Sequence, residues 1–175
     1  MIQKGLTLIE LVLVIAILSI LSAVAIPRFL NLGTNARISS MSALSGALNT
    51  AMSIVHAQVM VQGPGSKGTQ ANITWISLGD GTRVRLWNTY PDRWCDGVGA
   101  IVQGVQAPAG DSCYLSSAAV PTTTNIRFYG YGNSQSPGGN AGWRDESATN
   151  ATYCSVEYVY NGTIKPVVIT NTSGC

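Results

Sequence analysis

A chain of 175 residues and 18.4 kDa has room for one modest hydrophobic core and excludes two large domains joined by a linker. Charged residues make up 10% of it, against about 25% in an average soluble domain, while 46% are hydrophobic, so the apolar content is concentrated in one place. A net charge of +2, from 10 Lys and Arg against 8 Asp and Glu, is too small to hold nucleic acid and too balanced for an acidic disordered tail.

The concentration lies at the start. Leu6 to Ile26 reads LTLIELVLVIAILSILSAVAI with Glu10 as its only charge, long enough as a helix to span roughly 30 Å of hydrocarbon. Lys4 is the one charged side chain before it, which places the N-terminus on the cytoplasmic side and everything after Pro27 outside. Beyond Pro27 the apolar residues become periodic. Met41, Leu44, Leu48, Met52, Val55 and Val59 recur every three or four positions, the stripe of a helix with one buried face. Gln62 interrupts the stripe and Gly63-Pro64-Gly65 terminates it, so the spacing predicts a helix over 6–62. Pro27 removes a backbone donor and predicts a bend or loosening over 19–27.

From Gly63 onward the pattern is β. Asn72 to Leu78 and Thr82 to Asn88 flank Gly79-Asp80-Gly81, a hairpin with a three-residue connection, and Asn125 to Tyr131 is a third strand. The stretch from Gly130 to Ala151 reads as a long surface loop. Tyr153 to Tyr160 puts Cys154, Val156, Tyr158 and Tyr160 on one face, Asn161-Gly162 supplies a two-residue turn, and Thr163 to Thr170 returns, with Pro166 marking an edge strand. The four cysteines all lie in the second half without a C-x-x-C pair, which favours disulfides in an oxidising compartment over a zinc cage. Pairing of sequence neighbours gives Cys95–Cys113 and Cys154–Cys175. The predicted turn sets Cys154 opposite Ile169, and the tail to Cys175 must fold back over a reach of roughly 20 Å.

Lys4-Gly5-Leu6-Thr7-Leu8-Ile9-Glu10 resembles the leader junction of type IV prepilins and type II secretion pseudopilins. The resemblance implies that a prepilin peptidase removes Met1 to Gly5 and methylates the amine of Leu6. It also implies that Glu10, the fifth residue after the cut, attracts the terminal amine of Leu6 in a neighbouring subunit, and that the apolar half up to Pro27 packs in a filament core. The competing reading of Glu10 is a carboxylate that snorkels to the headgroups. Phe29-Leu30-Asn31-Leu32, Ala36-Arg37, Thr89-Tyr90-Pro91, Cys154 with Val156 and Tyr158, and Ser173-Gly174-Cys175 look like mannose-sensitive-haemagglutinin-type (MSHA) pilins. The likeness is dense over 5–62, patchy over 72–104 and recovers at 153–175; residues 105–152 match nothing. Ser19 stands where many such chains carry Gly. The implied fold is α+β, the type IV pilin fold: a long N-terminal helix with a membrane-spanning first half, packed on a small antiparallel β-sheet head. Its expected parts are a leader at 1–5, a transmembrane and filament-core half at 6–27, an amphipathic half at 28–62, and a β-rich head at 63–175 that forms one domain with 28–62.

The expected function is therefore structural, as the main subunit of an MSHA-like surface pilus used for adhesion. The expected partners are other copies of the chain, prepilin peptidase with the pilus assembly machinery, the inner membrane before assembly, and carbohydrate or surfaces through the pilus. Two alternatives are a type II secretion pseudopilin and a secreted β domain cut after Ala25 of an Ala23-Val24-Ala25 signal site. No enzyme chemistry, cofactor or metal is expected. His56, the sole histidine, has no acid near it in sequence and reads as a packed or surface residue. Gly63 to Thr69 resembles a phosphate loop only superficially, because Lys67 precedes its glycine. Asp92, Asp96, Asp111, Asp145 and Glu146 lack EF-hand spacing and read as solvated loop acids. The N-x-S/T triplets at Asn72, Asn150, Asn161 and Asn171 carry little weight. Trp75, Trp87, Trp94 and Trp143, with Tyr129 and Tyr131, read as core or strand-face residues before sugar-stacking ones.

Overall fold

A computed structural model describes residues 7–68, 70–102, 126–130 and 140–175, apart from the side chains of 27–31 and 127. Its first element is a single helix, α1, over Leu8–Gln62, close to the expected 6–62. Gly63, at φ +85°, stops it, with its N–H bonded to Val59 O. The helical assignment continues through Pro27, so the expected loosening does not interrupt it, and the Ser19 hydroxyl bonds back to Ile15 O at 2.7 Å. The chain divides into two compact units, 1–36 and 37–175. In the first, the segment Leu8–Ile26 has a mean hydropathy of 2.8 and none of it is buried. Such a surface is stable only in lipid or against other helices.

The second unit holds two four-stranded antiparallel sheets. The first comprises β1 (Ser66–Lys67), β2 (Ile73–Ser77), β3 (Arg83–Trp87) and β4 (Tyr90–Pro91) in chain order. Ser77 pairs with Arg83, and the hairpin closes over Gly79-Asp80-Gly81 as its sequence required. Gly81 takes φ +86°, and the Asp80 carboxylate accepts the N–H of Thr82. That bond holds the Asp80 carboxyl below its usual range. The second sheet comprises β5 (Ile126–Tyr129), β6 (Ala141–Asp145), β7 (Ser155–Val159) and β8 (Val167–Asn171), also in chain order.

One core joins both sheets to the helix. All six stripe residues, Met41 to Val59, are buried, together with Ile76, Val84 and Leu86 of the first sheet and Trp143, Val156 and Tyr158 of the second. Each such side chain contributes about 1.5 to 3 kcal/mol of transfer free energy. The predicted face of Cys154, Val156, Tyr158 and Tyr160 is likewise buried. The two sheets are tied by phenols: Tyr158 donates to Pro91 O and Tyr160 to Trp87 O, both at 2.7 Å.

Two sequence expectations are corrected. Residues 141–145, read as loop, form the interior strand β6, where Gly142 lies close enough to Val156 O that a Cβ would approach it to 3.1 Å. The Asn161-Gly162 pair does not make a two-residue turn. The connection runs over 160–166 and the register places Ser155 opposite Asn171, so Cys154 does not face Ile169. Asn161 instead accepts the N–H and hydroxyl of Thr163, and Gly162 lies close against the Trp87 ring, its carbonyl held by Asn88 Nδ2. Tertiary packing on Trp87 overrides the local hairpin preference. Pro166 precedes β8, which is indeed an edge strand.

Candidate assembly site

The site begins where α1 begins. Thr7 N–H donates to Glu10 Oε2 at 2.9 Å and Glu10 N–H donates to Thr7 Oγ1 at 3.4 Å, a reciprocal pair that satisfies two backbone donors at the helix start. The signal is visible in sequence as Thr-x-x-Glu before an apolar run, and the sequence reading missed it. Glu10 is therefore fixed at the first turn, exposed, with carboxylate lone pairs left for a partner. The expected cleavage pair, Gly5 and Leu6, lies outside the described residues. Pro27 is within the helix backbone.

At the head, the expected Cys154–Cys175 disulfide is formed, with Cα atoms 4.8 Å apart and both residues buried. Cys95 is buried and belongs to a disulfide, while Cys113, its expected partner, lies outside the described residues. The tail reaches Cys154 through local turns: Asn171 accepts Ser173 N–H, Gly174 N–H bonds Tyr153 O, and Asn150 N–H bonds Gly174 O.

Two acids read as solvated are instead buried and paired. Asp145 accepts the N–H and hydroxyl of Ser147 and lies 3.9 Å from Arg37 Nε, while Arg37 Nη1 donates to Cys175 O at 3.2 Å. Asp92 stands 2.8 Å from Arg85 Nε, an ionic contact across which no well-aimed hydrogen bond forms. Burial pushes the Asp92 carboxyl above its ordinary value, opposed by the charge of Arg85. The partnership of Arg37 leaves no sequence signal, because its partners lie more than a hundred residues away.

The remaining candidates have packing roles. His56 stacks on Tyr90 with ring centroids 4.1 Å apart, and its Nδ1 lies 3.0 Å from Thr89 O, which requires the proton on Nδ1. Trp143 is fully buried against Phe128. Trp75, Trp94 and Trp87 carry the guanidinium groups of Arg83, Arg85 and Arg93. Among the described residues no three metal-binding side chains are gathered.

A capped apolar helix segment with none of it buried, long and apolar enough to cross a membrane, is continuous in chain with a stripe that carries a disulfide-closed β head, the organisation of a subunit with an apolar helical anchor. Comparison with known proteins agrees. Residues 1–26 match the family model described as the prokaryotic N-terminal methylation motif. The chain is 35% identical over 88 residues to the type IV narrow pilus major component PilA5 of Thermus thermophilus, covering 46% of this chain and 76% of that one. It is 44% identical over 50 residues to the type IV major fimbrial protein FimA of Dichelobacter nodosus, where it covers 29% of this chain and spans only 32% of the relative. No solved structure gives a match. The chain belongs to the type IV pilins. With the family come processing by prepilin peptidase, anchoring in the inner membrane by the apolar helix, and self-assembly into an extracellular pilus.

Proposed function

We propose that this chain is the main repeating subunit of a surface-attachment pilus of the MSHA type. The observation that carries the reading is the Cys154–Cys175 closure beside Thr89-Tyr90-Pro91: the segments that look like MSHA pilins meet in the fold, Tyr158 of the cysteine strand donating to Pro91. The names of PilA5 and FimA as major components support the main-subunit role. Processing falls between Gly5 and Leu6, the amine of Leu6 is methylated, and Glu10 draws the Leu6 amine of a neighbour. Residues 6–27 form the filament core, 28–62 with 63–175 form the head, and Cys95 pairs with Cys113. Adhesion to carbohydrate belongs to the assembled pilus, since three tryptophan rings of the subunit carry arginines and the fourth is buried.

The test is to shear filaments from the source cells, sequence the subunit from its N-terminus and image the cells. Long filaments composed mainly of this polypeptide beginning at Leu6 are expected. Filaments lacking it overturn the main-subunit reading, a start at Ile26 favours a secreted domain, and cells with no surface fibres favour a pseudopilin.

A further inference from the structure

The connection 160–166 carries a chemically labile pair that the fold holds shut. An asparagine side-chain amide is open to attack by the backbone nitrogen of the next residue, and a side chain on that residue crowds the approach. Asn161 is the only asparagine of the chain that is followed by glycine. It is exposed, so water reaches its amide. Its Oδ1 is held by three donors, Thr163 N–H at 3.1 Å, Thr163 Oγ1 at 2.8 Å and Ile164 N–H at 3.5 Å. On the other side of the bond Gly162 is buried against the Trp87 ring, and Asn88 Nδ2 holds its carbonyl. Both halves of the reacting pair are thus held by neighbours that take no part in the reaction. Closing a five-membered ring between Asn161 Cγ and Gly162 N turns both groups, so each hold must first be given up. Beyond Gly162 the connection is lightly anchored, with Ile164 66% exposed, which lets it lift while the disulfide-closed core stays packed.

We propose that Asn161–Gly162 is a latent self-modification site, which deamidates through a cyclic imide only when the connection 160–166 lifts off Trp87. The Gly162 nitrogen gives its proton to hydroxide and forms a bond to Asn161 Cγ. The Cγ–Nδ2 bond breaks, and Nδ2 takes a proton from water and leaves as ammonia, so the hydroxide is regenerated. Water then opens the imide at one carbonyl or the other, giving an aspartyl or an isoaspartyl linkage to Gly162. Either product has a carboxylate in place of the amide, which takes one unit from the net charge of +2. The aspartyl form can regain the donors of Thr163. The isoaspartyl form cannot return to the starting fit, because its backbone is longer by one carbon where Gly162 seats against Trp87. A transient opening of the head is thereby converted into a permanent mark on the chain.

The test incubates the full, detergent-solubilised chain at mildly alkaline pH in water enriched in oxygen-18, folded and in urea, and follows label in the peptide containing Asn161 by mass spectrometry. The folded chain is expected to take up label at least about tenfold more slowly than the urea-unfolded chain. Amide exchange measures the same opening without a variant: protection of Thr163 N–H should match that slowing to within about threefold. Asn88→Gly suits the φ of +55° at that position and removes the donor to Gly162 O, so it should return most of the lost rate with the Cys154–Cys175 disulfide still formed. Refolded chain carrying isoaspartate should show shifted tryptophan emission. Absence of label in urea, equal rates folded and unfolded, or protection at Thr163 unrelated to the slowing would each overturn the proposal. A folded Asn88→Gly chain that labels no faster than the parent, or unchanged emission from the isoaspartyl chain, does so as well.

Discussion

Arg37 and Cys175, separated by 138 positions, are joined by a hydrogen bond from the guanidinium Nη1 to the backbone carbonyl of the disulfide-bonded cysteine. The same side chain meets Ser147 Oγ at 3.3 Å and stands near Asp145, so a single residue of α1 holds the tail and the end of β6. Arg37→Ala leaves the Asp145 carboxylate, almost fully buried, without its cation. A loss of about 1 to 3 kcal/mol is expected, read as a lower urea midpoint for the detergent-solubilised chain by tryptophan fluorescence. Arg37→Lys should recover part of it, because the charge returns without the planar fork. An unchanged midpoint for Arg37→Ala would remove the clamp from the account.

The Cys154–Cys175 bond closes a separation of 21 residues. Its loss through Cys175→Ser should cost about 3 kcal/mol, mainly by freeing the unfolded chain. Cys154→Ser should cost at least as much, since it also puts a hydroxyl into a fully buried site. Urea unfolding of both variants beside the reduced parent tests the ordering.

Asp92 gives a pH dependence. Burial raises its carboxyl above the ordinary 3.8, so the folded chain holds this proton more tightly than the unfolded one. The stability it contributes is full below 3.8 and is lost as pH rises through the raised folded value. Arg85→Met removes the cation that offsets burial. The variant should lose about 3 kcal/mol near neutral pH and regain much of it on acidification, as the buried Asp92 takes up a proton. A penalty independent of pH would show that Arg85 acts through packing alone.

How far these features were legible in the sequence depends on whether their cause is local. The stripe from Met41 to Val59 and the Gly79-Asp80-Gly81 turn follow from periodicity and from glycine at a left-handed position, and both stand as read. The strand β6 does not alternate: Ala141, Gly142, Trp143 and Asp145 are all buried, because an interior strand with an inward acid is covered on both faces. Asp145 is readable as buried only once Arg37 is known to be beside it. The Thr7–Glu10 pair is legible as Thr-x-x-Glu before an apolar run, because its cause lies within one helical turn.

That pair separates two functions of Glu10. Glu10→Gln keeps an oxygen to accept the Thr7 N–H and removes the charge, whereas Glu10→Ala removes both. If the charge draws a neighbour's amine, both variants should reside in the inner membrane and be absent from sheared filaments. Normal filaments from Glu10→Gln would assign the residue to the helix start instead.

Gly162 tolerates no side chain. Its φ of +80° disfavours one, and a Cβ would sit 2.2 Å from the Trp87 ring. Gly162→Ala should cost more than about 2 kcal/mol and shift tryptophan emission, since ring and loop must part. The neighbouring phenol reports the same packing. Burial pushes Tyr160 up to about 12, so it should ionise well after an exposed tyrosine in the parent and earlier in the variant.

The inward pairing of Arg37 with Asp145 and Arg85 with Asp92 has a consequence at the scale of fibres. Each pair takes one charge of either sign out of a stock of 10 cationic and 8 acidic side chains, which leaves the net charge at +2 and the surface poorer in charge. Ile164, Val167 and Ile169 are exposed on the chain, and at whichever filament surface they reach they outweigh charge in whether filaments lie side by side. Bundling should change little as salt shortens the Debye length from about 30 Å to about 3 Å, so that colloidal behaviour follows shape and wetting rather than ionic strength.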